Sequence, residues 1–204
     1  LWHSSIATEG VYEVGNAQAV EEGQPVVNGI QVEDLKALVS TVKQDPRKGL
    51  TRWKVTSAWQ GRTHIRAEIG PFRLGEKEVE RPFVIDIDEP AELGGGNAYP
   101  NPQEHLIAAL NACMMVGYVA LCALQGIALE KLEIQTEGDI DLRGFLGLDD
   151  RIPAGYKSLN YTVRIKGDAS EEQFAKIHEL VMATSPNYYN ITRSVGLKPT
   201  LVVE

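Results

Sequence analysis

The stretch 101–124, NPQEHLIAALNACMMVGYVALCAL, constrains this chain more than any other segment. Asn101 and Pro102 open it as a helix cap and first turn, and Gly126 stops it. Between them there is almost no polar face, so the helix must be covered on every side. Its length admits a membrane span. Asn111, Gly117 and several alanines dilute the apolar run, however, and no basic cluster marks either flank. A helix packed inside a soluble protein, without a membrane partner, is the better reading. A hydrophobic content of 43% and a charged content of 24% fit that class. The net charge of −8, with no Lys/Arg-rich run, also excludes nucleic acid as a partner, because phosphate binding needs a basic footprint.

The remaining sequence alternates strand and helix signals without strict βαβ order, which predicts an α+β fold. Residues 1–27 are polar, lack a sustained period and read as an arm or disordered leader. Val32, Leu35, Leu38, Val39 and Val42 recur at helical spacing and stop before Asp45-Pro46. The expected organisation is therefore an N-terminal arm with a short amphipathic helix over 1–50, and one domain over 51–204. Trp53 to Trp59 and the alternating Ile65, Ala67 and Ile69 predict a β-hairpin turning at Gln60-Gly61. RPFVIDID, KLEIQTEGDIDLRG and KSLNYTVRIKGD predict three more strands, and PTLVVE a last one. SEEQFAKIHELVMATSP opens with a capping box from Ser170 to Gln173 and predicts a second long helix.

Chemistry-bearing residues are few. Cys113 and Cys122 lie nine positions apart on one helix, which puts them on opposite faces roughly 13 Å apart along the axis. A disulfide needs Cα atoms within about 7 Å, so none joins them. With no CxxC and no secretory leader in LWHSSIATEG, the setting read from the sequence is cytoplasmic. His3, His64, His105 and His178 show no ligand spacing, so neither a metal nor another cofactor is expected. His178 reads as a surface residue on a helix edge. A cysteine in an apolar helix is ordinarily a small hydrophobe, and becomes a reagent only where a cation sustains its thiolate.

The segment DEPAELGGGNAYPNPQEHLIAALNAC resembles the signature of the OsmC/Ohr family, the osmotically inducible and organic hydroperoxide resistance proteins. Glu92-Leu93-Gly94-Gly95, Asn101-Pro102, Leu106 and Ala112-Cys113 carry the match. Gln125-Gly126-Ile127 and the late Ser-Pro turn extend it over roughly residues 53–204. The resemblance implies an OsmC-like fold, with long buried central helices wrapped by antiparallel or mixed β-sheet in an intertwined homodimer. It also implies thiol-based reduction of a small-molecule organic hydroperoxide, with Cys113 as the attacking thiol. The family arginine follows the hairpin turn, where Arg62 and Arg66 both stand. Gln103 occupies the place of the family glutamate, and Glu104 lies one step away. The family's second cysteine, which precedes a proline, is Ser185 here, so reduction of the oxidised thiol would need an external thiol reductant. Ser185, Tyr188 and His105 are the expected substrate-side residues.

Two readings follow from these residues. One is a one-cysteine hydroperoxide reductase with a detoxification role in oxidative stress. The other is a non-catalytic protein of the same fold that holds a small apolar ligand at the dimer interface.

Overall fold

The computed structural model describes residues 25–204, and all but the last three residues of the expected leader over 1–27 lie outside them. Two short strands, β1 (Val26–Val27) and β2 (Ile30–Gln31), pair across Asn28-Gly29 and lead into helix α1 (Val32–Gln44). The arm reading missed this hairpin. Asn28, at φ 53°, suits the Asn-Gly turn that matches strand twist. Its side chain donates to the Ile127 carbonyl at 2.9 Å and accepts from the Leu129 amide at 2.8 Å. One asparagine thus ties the hairpin to a chain segment about a hundred residues away.

Two small antiparallel sheets follow. One joins β3 (Thr51–Arg52), β6 (Phe72–Leu74) and β7 (Lys77–Val79) in the order β3-β6-β7. The other joins β4 (Val55–Gly61), β5 (His64–Ile69) and β8 (Val84–Ile87) in the order β4-β5-β8. The expected hairpin is β4–β5, but its loop is Arg62-Thr63 and not Gln60-Gly61. A register shift between Trp59 and Gly61 carries the extra residue. Register sorts the second sheet into two unlike faces. Val55, Trp59, Ile65, Ala67, Ile69, Ile85 and Ile87 share one, and His64, Arg66, Glu68 and Asp86 the other.

The apolar stretch forms α2 (Pro102–Leu124). Asn101 caps it in a complete capping box: its side chain accepts from the Glu104 amide while Glu104 accepts from the Asn101 amide at 2.7 Å. Leu110, Met114, Tyr118 and Cys122 recur every fourth residue and are buried against Ile127, Ile177 and Val181. The hairpin of β9 (Leu129–Glu137) and β10 (Asn160–Gly167) covers them with Leu132, Ile134, Tyr161, Val163 and Ile165. Between those strands lies the short helix α3 (Leu142–Phe145). Helix α4 (Glu171–Thr184) keeps the expected capping box and approaches α2 closely at Gly117, where a Cβ would already lie 3.4 Å from Val181. Helix α5 (Pro186–Thr192) completes the packing.

The rest of α2 is open. Val116 keeps 68% of its surface exposed, although the helix is long and apolar enough to cross a membrane. The apolar face of the β4-β5-β8 sheet is open as well, with Trp59 at 71%. This sheet does not pack substantially on α2 within the chain, whose neighbours are α1, α4, α5, β1 and β9. The expected strand over 199–204 is absent, because the segment finds no paired edge and Leu201, Val202 and Val203 stand in solvent. His178 is also corrected: it is half-buried, and its Nδ1 bonds the buried Tyr118 hydroxyl.

Ile177, fully buried between α2 and the β9–β10 hairpin, measures this core. At fixed protein concentration, Ile177→Ala is expected to cost about 2–5 kcal/mol in urea unfolding. Lys176→Ala, which removes only an exposed pair with Glu172, is expected to cost less than about 0.5 kcal/mol.

Candidate active site

Cys113 lies half-buried at mid-helix, and both cysteines are free. Among the described residues its sulfur takes one hydrogen bond. Ser185, itself 95% removed from solvent, donates its hydroxyl proton to Cys113 Sγ at 3.3 Å. Ser185 is held there by the fold on both sides, because it ends α4 and caps α5, accepting from the Tyr188 amide at 3.4 Å. The Asn187 amide group donates to the Ala109 carbonyl at 2.9 Å and fastens α5 to α2. Two residues 72 positions apart therefore meet through the sharp α4–α5 junction that Pro186 opens.

Along α2, Gln103, Leu106, Leu110 and Cys113 fall on one stripe. The first three line a groove of about 720 Å³, whose other walls are Tyr156, Leu159, Tyr188 and Ile191. The lining is mostly apolar, with Gln103 and Lys157 among its polar contributors. Of the expected substrate-side residues, Tyr188 lines this groove, and Ser185 bonds both the Tyr188 amide and the thiol. His105 has its Nε2 buried with no hydrogen-bond partner among the described residues. Glu104 is occupied by the capping box, with its carboxylate on the Asn101 amide.

Of the two candidate arginines, Arg66 lies on β5 and Arg62 in the β4–β5 loop, and among the described residues neither hydrogen-bonds Cys113. Arg66 pairs with Asp86 at 3.6 Å, and the same carboxylate meets His64 Nε2 at 2.9 Å. Tyr99 stacks on that imidazole, with ring centroids 5.0 Å apart. Arg62 is different. It occupies the left-handed region at φ 48°, its side chain is exposed, and it has no ion-pair partner among the described residues. Its carbonyl accepts from the Trp59 indole at 2.7 Å.

Asp88 was not visible as special in the sequence. It is buried and accepts four hydrogen bonds: from the Thr63 hydroxyl at 2.6 Å, and from the Glu89, Gly96 and Ala98 amides at 2.9, 2.9 and 3.2 Å. The Thr63 hydroxyl, then the Ala98, Glu89 and Gly96 amides, outweigh burial and hold this carboxyl at about 2. Gly95 is required beside it, since a Cβ there would fall 1.7 Å from the Glu89 carbonyl oxygen. On the far side of α2 the thiol of Cys122 is pushed up, mainly by burial and then by Asp168, and has an inert setting. Among the described residues no cluster of three His, Cys, Asp or Glu side chains could hold a metal ion.

Known proteins resemble this chain in sequence and shape. The family described as OsmC-like protein matches residues 94–199. The uncharacterized protein YmaD of Bacillus subtilis (strain 168) is 26% identical over 125 residues, covering 60% of this chain and 72% of that protein. The crystal structure of an OsmC-like protein from Mycoplasma pneumoniae superposes with a TM-score of 0.55 at 16% identity, covering 70% of this chain and 89% of that one. An OsmC-like protein of unknown function from Vibrio cholerae gives a TM-score of 0.51 at 14% identity, covering 68% and 92%.

The Ser185–Cys113 contact makes a sharp prediction. In Ser185→Cys the new sulfur starts within reach of Cys113, and a disulfide requires only a short closing movement. On mild oxidation this variant is expected to lose two hydrogens by intact mass and both thiols by alkylation, while the parent chain keeps its free Cys113. An unchanged mass would contradict the described junction.

Proposed function

The chain belongs to the OsmC-like protein family, and from that premise we propose that it reduces organic hydroperoxides through Cys113 as a one-cysteine enzyme. The thiolate attacks the distal peroxide oxygen. An S–O bond forms as the O–O bond breaks, sulfur is oxidised by two electrons, and the departing alkoxide takes up a proton to leave as an alcohol. The product on the protein is a sulfenic acid at Cys113. Two equivalents of an external thiol return it to the thiol, releasing water and a disulfide. Ser185 stands 3.3 Å from the sulfur, where it can donate a hydrogen bond to either sulfur state but cannot form a disulfide. That contact is the observation that carries the reading. The apolar groove beside it suits the organic portion of a hydroperoxide.

Arg62 is the cation we assign to the thiolate. It is uncommitted among the described residues, whereas Arg66 is already paired with Asp86. Its left-handed backbone is the kind of local strain that functional positions tolerate. Members of the family commonly form dimers, and the two open apolar surfaces of this chain support the same assembly here. The exposed side of α2 and the apolar face of β4-β5-β8 are complementary in character, yet they do not meet within one chain. In a pair, each sheet would cover the other copy's helix and bring Arg62 to the other copy's Cys113. Free Cys113 and Cys122 agree with a cytoplasmic setting.

The non-catalytic reading has two observations in its favour: the groove is large, and the usual second thiol is a serine. A single experiment separates the two. After a stoichiometric dose of cumene hydroperoxide, mass spectrometry with sulfenic-acid trapping is expected to find one added oxygen on Cys113. The reaction is expected to vanish in Cys113→Ser, persist in Cys122→Ser and slow by about a hundredfold in Arg62→Ala. If Cys113 stays reduced while the groove takes up a hydrophobic fluorophore, the ligand-binding reading replaces the enzymatic one.

A further inference from the structure

The geometry around the hairpin turn points to Asp88 and Thr63 as positioning residues for Arg62, a role that rests on the reading of Arg62 as the cation serving Cys113. Arg62 is exposed and lies in a two-residue loop, so nothing about its side chain alone would hold it in place. Its backbone is gripped from both sides. The Trp59 indole donates to its carbonyl at 2.7 Å. The next residue, Thr63, donates its hydroxyl to Asp88 at 2.6 Å. Asp88 is itself immobile: its second oxygen accepts from the Gly96 and Ala98 amides, and its own amide donates to the Pro100 carbonyl at 3.3 Å.

The carboxylate therefore links the arginine turn to the glycine loop that ends at the α2 cap, fixing Arg62 in the frame of the helix start. Such a link matters because small misplacements of a charged group cost large factors in rate. A left-handed backbone is uncommon for an L-residue and needs restraint from its surroundings. The Thr63 hydroxyl on Asp88 and the Trp59 indole on the Arg62 carbonyl supply it, together with the β4–β5 ladder on either side.

The test uses Thr63, because Asp88→Asn would set an amide N–H against the Gly96 and Ala98 donors and threaten the fold. Rates of Cys113 oxidation by cumene hydroperoxide are compared in Thr63→Val, Thr63→Ser, Arg62→Ala and the Arg62→Ala/Thr63→Val pair, with melting curves beside them. Thr63→Val, nearly isosteric but without the hydroxyl, is expected to slow oxidation by about tenfold or more. Thr63→Ser, which restores the hydroxyl, is expected to recover the rate to within about twofold. In the Arg62→Ala background, adding Thr63→Val is expected to change the rate by less than about twofold, because the residue it positions has gone. Equal slowing by Thr63→Val with and without Arg62 overturns the proposal, as does an unaffected Thr63→Val beside a slow Arg62→Ala. An Arg62→Ala chain as fast as the parent removes the assignment of Arg62 itself, and the positioning role with it.

Discussion

A helix too apolar for the chain that carries it governs the rest of this structure. One side of α2 is sealed by α4 and the β9–β10 hairpin around Met114, Tyr118 and Cys122. The opposite side is left bare, with Val116 exposed. Hydrophobic burial contributes roughly 25 cal/mol per Å² of apolar surface, so an open stripe of this length is a strong drive toward association. The β4-β5-β8 sheet has the same unmet need on its isoleucine face. Glycine-rich residues 94–96 and the Asp88 junction separate the two surfaces within one chain. In the proposed dimer a second copy would cover both surfaces, and the same contact would assemble the proposed site.

The thiol chemistry follows from where α2 is sealed and where it is open. Cys122 lies on the closed side, fully buried, with its thiol pushed up by burial. Cys113 lies at the margin, half-buried, about one turn along α2 from Leu110 of the groove, and accepts the Ser185 hydroxyl. A serine at this junction keeps the geometry of a cap while removing the option of an internal disulfide. In the proposed reaction, reduction of oxidised Cys113 would fall to an external thiol.

Much of this was legible in the sequence wherever local chemistry decides structure. Asn101 and Pro102 at one end and Gly126 at the other bound α2, and Ser170 with Gln173 marks the start of α4, because caps act within one turn. The strands that escaped notice, β1, β2, β3, β6 and β7, are two or three residues long, too short for an alternating pattern to register. PTLVVE has strand chemistry but no paired edge in the protomer, and a strand is defined by its neighbour. Asp88 reads as one acid in an acidic stretch. Only folding surrounds it with the Thr63 hydroxyl and the Gly96 and Ala98 amides, so its role was invisible until the loop closed on it. Cys113 and Ser185, which also meet only on folding, are 72 positions apart, and in the sequence their meeting was reachable only through a family resemblance.

The most direct test of a shared site is subunit mixing. Cys113→Ser and Arg62→Ala chains are unfolded together in equal amounts, refolded and treated with cumene hydroperoxide. Each chain lacks one half of the chemistry, so a site built within one chain cannot recover. The account predicts a fast phase covering about half of the Cys113 present, as expected for random pairing in which each hybrid dimer holds one intact site. A mixture no faster than Arg62→Ala alone, once exchange is verified, would contradict it.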